Sequence, residues 1–128
     1  MKRIILDTDF LVHCADNKVD YVEEIRRICS FNYKIFIIDR TIDELNHLID
    51  NSRGNIVLNA KLARLIVTKK GIEKISTSSN RTVDRLILEN VTNEDIVATM
   101  DAGLKQKLKK KGVQLIILRK RQFLVFQP

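Results

Sequence analysis

Tryptophan is absent from the 128-residue sequence, cysteine occurs twice, and the four glycines are isolated from one another. Cys14 and Cys29 form no Cys-x-x-Cys pair, so the sequence predicts neither a zinc site nor a disulfide framework, and we expect two buried, reduced thiols. No glycine belongs to a Gly-Lys-Ser or Gly-Lys-Thr sequence, which excludes nucleotide hydrolysis of the P-loop kind. The polar segment 76–80 lacks a matching His and Asp pattern, which argues against a hydrolytic triad.

Long apolar runs are also missing. No run approaches the roughly 20 residues of a membrane-spanning helix. The first ten residues, MKRIILDTDF, lack the apolar stretch of a signal peptide. We therefore expect a soluble, cytoplasmic protein that makes no contact with a membrane.

What the chain does contain is aliphatic side chains in periodic order. Hydrophobic residues make up 45% of the sequence, which is enough for one sizeable core but, at this length, not for two. We predict a single domain over residues 1–121. The apolar tail that follows, 122–128, is predicted to form either an extra strand or a docking segment.

Positive charge is in excess and unevenly placed. The chain has 23 Lys and Arg against 16 Asp and Glu, a formal net charge of +7, and the excess gathers near the C-terminus. Such a cluster suits a phosphate backbone or an acidic partner, although a lysine-rich helix can also be a well-solvated face. The residues predicted to hold a polyanion are Lys105, Lys109, Arg119, Lys120 and Arg121.

Short apolar runs alternate with segments of helical periodicity along the chain. Predicted strands cover 3–6, 35–38, 72–75, 96–99 and 113–118, and helices lie between them. Parallel strands need helical crossovers, and those crossovers are right-handed. The alternation therefore predicts an α/β fold in which helices cover both faces of a parallel sheet.

Acidic residues follow the predicted strands where the ligand crevice of such a fold opens. Asp7 directly follows the first strand, and Asp101 follows the fourth shortly after Thr99. Glu44 and Asp84 lie near the starts of helices. Because the carboxyl ends of parallel strands meet at one edge of the sheet, we expect these four carboxylates to face one region.

Each carboxylate except Asp7, which has no helix of its own to cap unless it shares that role with Asp9, also has a structural alternative. Residues 41–44 are typical of a capping box, Asp101 of an N-cap, and Asp9 of the cap of a short helix that begins at Phe10. Four convergent carboxylates repel one another in the absence of a counter-charge. A divalent cation such as Mg²⁺ or Mn²⁺, which prefers carboxylate and water oxygens, provides that charge.

Four segments that carry these acids resemble the acidic blocks of the PIN-domain nucleases, in order and at fitting intervals. They are ILDTDFL at the N-terminus, TIDEL around Glu44, VDRLIL around Asp84, and IVATMDAGLKQKLKKKGVQLIIL around Asp101. The last block is similar to those of archaeal stand-alone PIN proteins and of the endonucleases that process ribosomal RNA in small-subunit assembly. The resemblance implies a three-layer α/β/α fold around a sheet of four or five parallel strands. It also implies Mg²⁺- or Mn²⁺-dependent cleavage of single-stranded RNA.

The resemblance further implies roles for individual residues. The metal-binding acids fall on Asp7, Glu44, Asp84 and Asp101, and a catalytic hydroxyl falls on Thr99. Asp7 is then the central metal ligand, and Asp84 and Asp101 complete the site directly or through water. Glu44 orients a metal-bound water.

Two positions depart from the family pattern. Asp9 stands where relatives often have Asn, so it either adds a fifth acid or caps the helix. Many relatives carry a second acid beside the third block, whereas here Val83 precedes Asp84 and Arg85 follows it. The second of two metal positions is therefore expected to be weak or unused.

Three functions remain open at this point. The first is an endoribonuclease, with ribosomal-RNA maturation as its expected role and a ribosome-assembly factor as partner. The second is a toxin ribonuclease that is held by an antitoxin, and the third is a non-catalytic RNA-binding scaffold with the PIN fold. Homodimers are common among relatives, and the apolar tail offers one means of forming them. His13 and His47 lie too far apart in sequence for a local ligand pair and are given no metal role.

Overall fold

The structure is a computed structural model, and it describes residues 1–127. Within that range strands and helices alternate as the periodicity predicts. The strands are β1 (Lys2–Leu6), β2 (Tyr33–Ile38), β3 (Glu73–Ile75), β4 (Ile96–Ala98), β5 (Gln114–Arg119) and β6 (Phe123–Gln127). The helices are α1 (Thr8–Asp16), α2 (Tyr21–Ile28), α3 (Arg40–Asn51), α4 (Asn55–Lys70), α5 (Val83–Asn90) and α6 (Ala102–Lys110).

The six strands form one sheet in the order β3-β2-β1-β4-β5-β6. β1 to β5 are parallel, and β6 pairs antiparallel with β5. The predicted α/β fold with its parallel sheet is confirmed, with five parallel strands and a sixth, antiparallel strand at the edge. Between β1 and β4 the direction in which successive strands are added to the sheet reverses. In parallel sheets of this class, ligands bind in the crevice beyond the carboxyl ends of the two strands at such a reversal.

The C-terminal segment lies at the edge of that sheet. Of the predicted tail, 122–128, Pro128 lies outside the described residues, and Phe123–Gln127 form β6. The outer backbone groups of this strand are bound by α2: Leu124 N–H donates to the Glu24 carboxylate at 2.9 Å, and Arg27 donates to the Leu124 carbonyl at 2.9 Å. These contacts satisfy an edge that would otherwise be free to pair with another strand. The division of the chain at residue 121 stays a prediction.

Successive side chains of a strand point to opposite faces of the sheet, which explains why the core has two halves. Ile4 and Leu6 belong to a core cluster with residues of α1 to α4, and Ile5 belongs to a second cluster with residues of α5 and α6. Both faces are therefore covered, as the resemblance implied. No helix within residues 1–127 has the length and apolar character needed to cross a membrane.

Two helix starts differ from the prediction. The first helix begins at Thr8 and is capped by Asp7, whose carboxylate accepts from the Thr8 N–H at 2.9 Å, so Asp9 is not its cap. The third helix begins at Arg40 and is capped by Asp39, so the capping box predicted at 41–44 is wrong. In both cases the helix follows the strand without an intervening loop. The acid that directly follows the strand, Asp7 or Asp39, accepts from the first N–H group of the helix.

Candidate active site

Asp7 and Thr99 stand side by side at the carboxyl edge of the sheet. Leu6 pairs with Ala98 in the parallel ladder, so the residue after each strand occupies the same level. The Asp7 N–H donates to the Ala98 carbonyl at 2.9 Å. Two adjacent strands in register therefore place these residues together, although 91 positions of sequence separate Asp7 from Ala98.

Thr99 connects three acids through a single hydroxyl. This side chain is fully buried, and its hydroxyl donates to Asp7 Oδ2 at 2.9 Å. The same oxygen accepts from the Asp101 N–H at 3.1 Å and lies 3.4 Å from Asp9 Oδ1. The hydroxyl that the resemblance assigned to Thr99 thus fixes the orientation of Asp7 and the start of the Asp101 segment.

The charge on Asp7 is costly in this position. Its side chain is 5% exposed, and burial, followed by the hydrogen bond and the repulsion from Asp9, raises the pKa of Asp7 to about 8. The hydrogen bonds from Thr99 and the Thr8 backbone act in the opposite direction and are the weaker influence. A nearby cation would favour the ionised carboxylate and offset this penalty.

Glu44 and Asp84 approach from α3 and α5. Glu44 Oε2 accepts from the Val83 N–H at 2.9 Å, so this acid binds the first turn of the neighbouring helix instead of its own. Asp84 Oδ1 accepts from the Thr82 hydroxyl at 2.5 Å, and the Asp84 side chain is exposed. Each of these acids is thus held by one contact and keeps a second carboxylate oxygen available.

One cavity of about 740 Å³ collects all of the predicted acids. Its volume lies within the range of about 300–1,000 Å³ typical of ligand sites. Thr99 lies buried beneath its wall and is not part of the lining. The acids that line the cavity are Asp7, Asp9, Asp43, Glu44, Asp84 and Asp101.

The donor set of this cavity fits Mg²⁺ or Mn²⁺ in chemical kind. Every acid offers a carboxylate oxygen, the ligand type that both ions prefer. The Thr8 hydroxyl is buried in the lining and has no hydrogen-bond partner within residues 1–127, which leaves a polar atom for an ordered water. In the part of the chain that the structure describes, no three His, Cys, Asp or Glu side chains are grouped closely enough to hold an ion in their present rotamers. The acids would therefore have to change side-chain rotamer to hold an ion together.

Four ionisable residues of the cavity were given no site role from the sequence. They are Arg40, Asp43, His13 and His47. Arg40 lies two residues after β2, and Asp39 holds the position after β2 that Asp7 holds after β1, so the strand-end rule did not point to Arg40. The two histidines lie on different helices, so only the packing of α1 beside α3 brings them to one cavity.

The predicted basic residues lie outside this lining. Lys105 and Lys109 are one and two turns into α6, beyond Asp101. Arg119, Lys120 and Arg121 are exposed at the hairpin between β5 and β6, which leaves the same carboxyl edge of the sheet. Lys120 and Arg121 have φ values of 54° and 56°, a left-handed conformation that favours glycine and costs other residues about 1–2 kcal/mol each. The turn thus presents three consecutive cations, two of which have a strained backbone conformation.

Comparisons with known proteins agree with the fold. A family model described as a PIN like domain matches residues 4–121. Ribonuclease VapC4 of Methanocaldococcus jannaschii is 25% identical, and the match covers 96% of this chain and 95% of that protein. The structure of the PIN domain endonuclease Utp24 matches with a TM-score of 0.82 at 22% identity, over 98% of this chain and 90% of that one. A domain of a functionally unknown protein from Methanocaldococcus jannaschii matches with a TM-score of 0.63 at 18% identity, over 93% and 92% of the two chains. At these identities the two structures show a likeness of fold.

Proposed function

The chain belongs to the PIN-like domain family, and on that premise we propose that it is a metal-dependent endoribonuclease that hydrolyses the phosphodiester bonds of single-stranded RNA. The observation that carries the proposal is the convergence of Asp7, Glu44, Asp84 and Asp101 on one cavity at the reversal point of the sheet. A structural role explains each acid singly, as a cap or a hydrogen-bond acceptor. It does not explain why four such acids share a cavity in which burial and Asp9 disfavour the charge of Asp7.

The proposed roles follow from position. Asp7, Glu44, Asp84 and Asp101 would hold the cation, with Asp9 as a fifth acid. Bound there, Mg²⁺ or Mn²⁺ supplies positive charge for the phosphate and lowers the pKa of a coordinated water. Among these acids, Asp7 is the deepest and the most firmly oriented, because Thr8 and Thr99 hold one oxygen each.

Arg40 is proposed to bind a phosphate oxygen of the RNA. Its guanidinium lines the cavity, and its Nε is buried without a hydrogen-bond partner among residues 1–127. The contact to Asp43 is long, at 3.6 Å. A guanidinium with free donors is well suited to phosphate, which accepts two parallel hydrogen bonds from it.

The basic residues that were predicted to bind RNA would extend the RNA-binding surface beyond the cavity. Hairpin cations at the same edge of the sheet, and lysines along α6, would hold the phosphates on either side of the cleavage point. Binding of this kind is sequence-independent and weakens with salt. The proposed contacts are Lys105, Lys109, Arg119, Lys120 and Arg121.

Cleavage of a mixed single-stranded RNA pool tests the proposal. Wild type, Asp7→Asn and the matched control Asp50→Asn, an exposed acid of α3 that lies outside the cavity, are compared with Mn²⁺, with Mg²⁺ and with EDTA. We expect wild type and Asp50→Asn to cut with either ion, and both Asp7→Asn and EDTA to abolish cutting. Binding of RNA without cutting under any metal would instead identify the non-catalytic scaffold.

The biological role is proposed in two forms. The likeness of the last acidic block to ribosomal-RNA-processing enzymes favours RNA maturation, with a ribosome-assembly factor as partner. The 25% identity to a protein named Ribonuclease VapC4 supports ribonuclease activity, and the second form of the proposal is a toxin ribonuclease with a protein antitoxin. Expression in growing cells separates them, since a toxin arrests growth within one doubling and a maturation enzyme changes the ends of precursor RNA. We also propose that the chain forms a homodimer, which sedimentation of the purified chain tests.

A further inference from the structure

The cavity extends past the acids to two histidines that the proposed chemistry leaves without a role. His13 lies one turn after Asp9 on α1, and His47 lies one turn after Glu44 on α3. One turn of helix is about 5.4 Å, the scale on which a ribose stands beside its phosphate. Both side chains are exposed and open to a ligand in the cavity.

The hydrogen bond of His13 determines which ring nitrogen is free. Its Nδ1 lies 2.8 Å from the carbonyl oxygen of Asp9. A carbonyl oxygen can only accept, so Nδ1 carries the proton in this contact. The Nε2 of the neutral ring is then unprotonated, and His13 offers an acceptor to the cavity.

His47 has the opposite arrangement. Asn51 Nδ2 donates to the His47 carbonyl at 3.0 Å and lies 3.2 Å from His47 Nδ1. Because this Asn51 atom donates to a carbonyl oxygen, it is the amide nitrogen, which carries two protons. The second proton is directed at His47 Nδ1, which therefore accepts. The proton of the neutral His47 ring is then on Nε2, and His47 offers a donor.

One acceptor and one donor in the same cavity match a hydroxyl group, which donates and accepts at once. The ribose 2′-hydroxyl is the group that distinguishes RNA from DNA at a protein site. Three apolar side chains also line the cavity, and such side chains suit the faces of a sugar and a base. That apolar lining comes from Val12, Leu48 and Ile56.

We propose that His13 and His47 form a ribose subsite that selects RNA over DNA, with the 2′-hydroxyl donating to His13 Nε2 and accepting from His47 Nε2–H. The proposal rests on the proposed ribonuclease function and adds that the site recognises the 2′-hydroxyl group of the substrate. Asn51 is a positioning residue in it, because its amide holds the His47 ring in the required tautomer.

Cleavage of matched oligonucleotides tests the subsite. Wild type, His13→Ala, His47→Ala and the control Asp50→Asn are assayed on RNA, 2′-O-methyl RNA and DNA of one sequence. Loss of one neutral hydrogen bond should lower kcat/KM for RNA about 3- to 10-fold, with the value for DNA unchanged. His13→Gln, whose amide oxygen also accepts, should recover part of the loss. An RNA preference that survives both alanine variants, or RNA and DNA rates that fall together, would overturn the proposal.

A binding measurement keeps this test separate from the proposed enzyme activity. In EDTA, ¹⁵N-labelled histidine signals are followed while a ribo-oligonucleotide or its deoxy counterpart is added. Selective shifts of the His13 and His47 signals with the ribo form support the subsite, even if wild type cuts nothing. Equal shifts with both forms, or no shift with either, overturn it.

Discussion

Replacing Asp7 by Asn should stabilise the metal-free protein at alkaline pH, although it removes the deepest acid of the site. Burial and Asp9 raise the pKa of Asp7 from 3.8 to about 8. The unfolded chain ionises with the lower pKa. The raised pKa therefore adds to the free energy of unfolding in full below about pH 4, where the carboxyl is protonated in both states. This contribution is lost as the pH rises to about 8.

The size of the effect follows from that pKa difference. At about 1.4 kcal/mol per unit the ceiling is about 6 kcal/mol. Water that enters the open cavity lowers the penalty, so we expect a gain of about 2–4 kcal/mol in the free energy of unfolding at pH 8.5. The amide fits the site: its oxygen can accept from Thr8 N–H, and its nitrogen can donate to Thr99, whose hydroxyl then turns toward Asp9.

Urea unfolding in EDTA at pH 4 and pH 8.5, followed by circular dichroism, measures this gain. The matched control is Asp43→Asn, which removes an exposed acid of the same cavity and leaves Asp7 in place. Added Mn²⁺ should stabilise wild type and not Asp7→Asn, because only the folded wild type binds it well. An Asp7→Asn protein less stable than wild type at pH 8.5 in EDTA would refute the reasoning.

Three further substitutions test single contacts. Thr99→Val should lower the free energy of unfolding by about 1–3 kcal/mol and the cleavage rate by about 10- to 100-fold, because Asp7 loses its hydroxyl donor. Thermal melting and initial rates measure the two effects, and an unchanged cleavage rate would contradict the prediction. Arg40→Gln should raise KM for RNA about tenfold or more with little change in kcat, whereas the control Arg26→Gln on α2 should match wild type. Lys120→Gly should stabilise the protein by about 1 kcal/mol, because glycine adopts the positive φ of this position without strain; urea unfolding measures this gain. The same substitution should weaken RNA binding and reduce its salt dependence. Salt titrations measure the binding, and an unchanged affinity would show that the hairpin does not bind RNA.

Much of the fold was predictable because its causes are local. Apolar runs of four to six residues separated by helical periodicity indicated parallel strands, and the structure confirms five of them. The helix starts were less well predicted. An acid just after a strand and another two residues later are equivalent caps in sequence, and the choice of Asp7 over Asp9 depends on where the strand leaves the sheet.

The candidate site was only partly predictable. Five of its six acids could be named because each follows a strand or lies near the start of a helix, and those positions converge in a parallel sheet of this kind. Asp43 and Arg40 were not named, and the two histidines were named but given no role, since a polar side chain on a helix is commonplace. Their meaning comes from the cavity that they share with the acids.

The sequence by itself determined the class of fold, the family and the acids that the cavity would collect, because periodicity and strand-end positions are properties of single segments. Only the tertiary structure decided the rest. The pKa of Asp7 depends on burial and on Asp9 beside it, and the opposite tautomers of His13 and His47 depend on their hydrogen-bond partners. These are properties of distances between atoms, and such distances exist only once the helices have packed on the sheet.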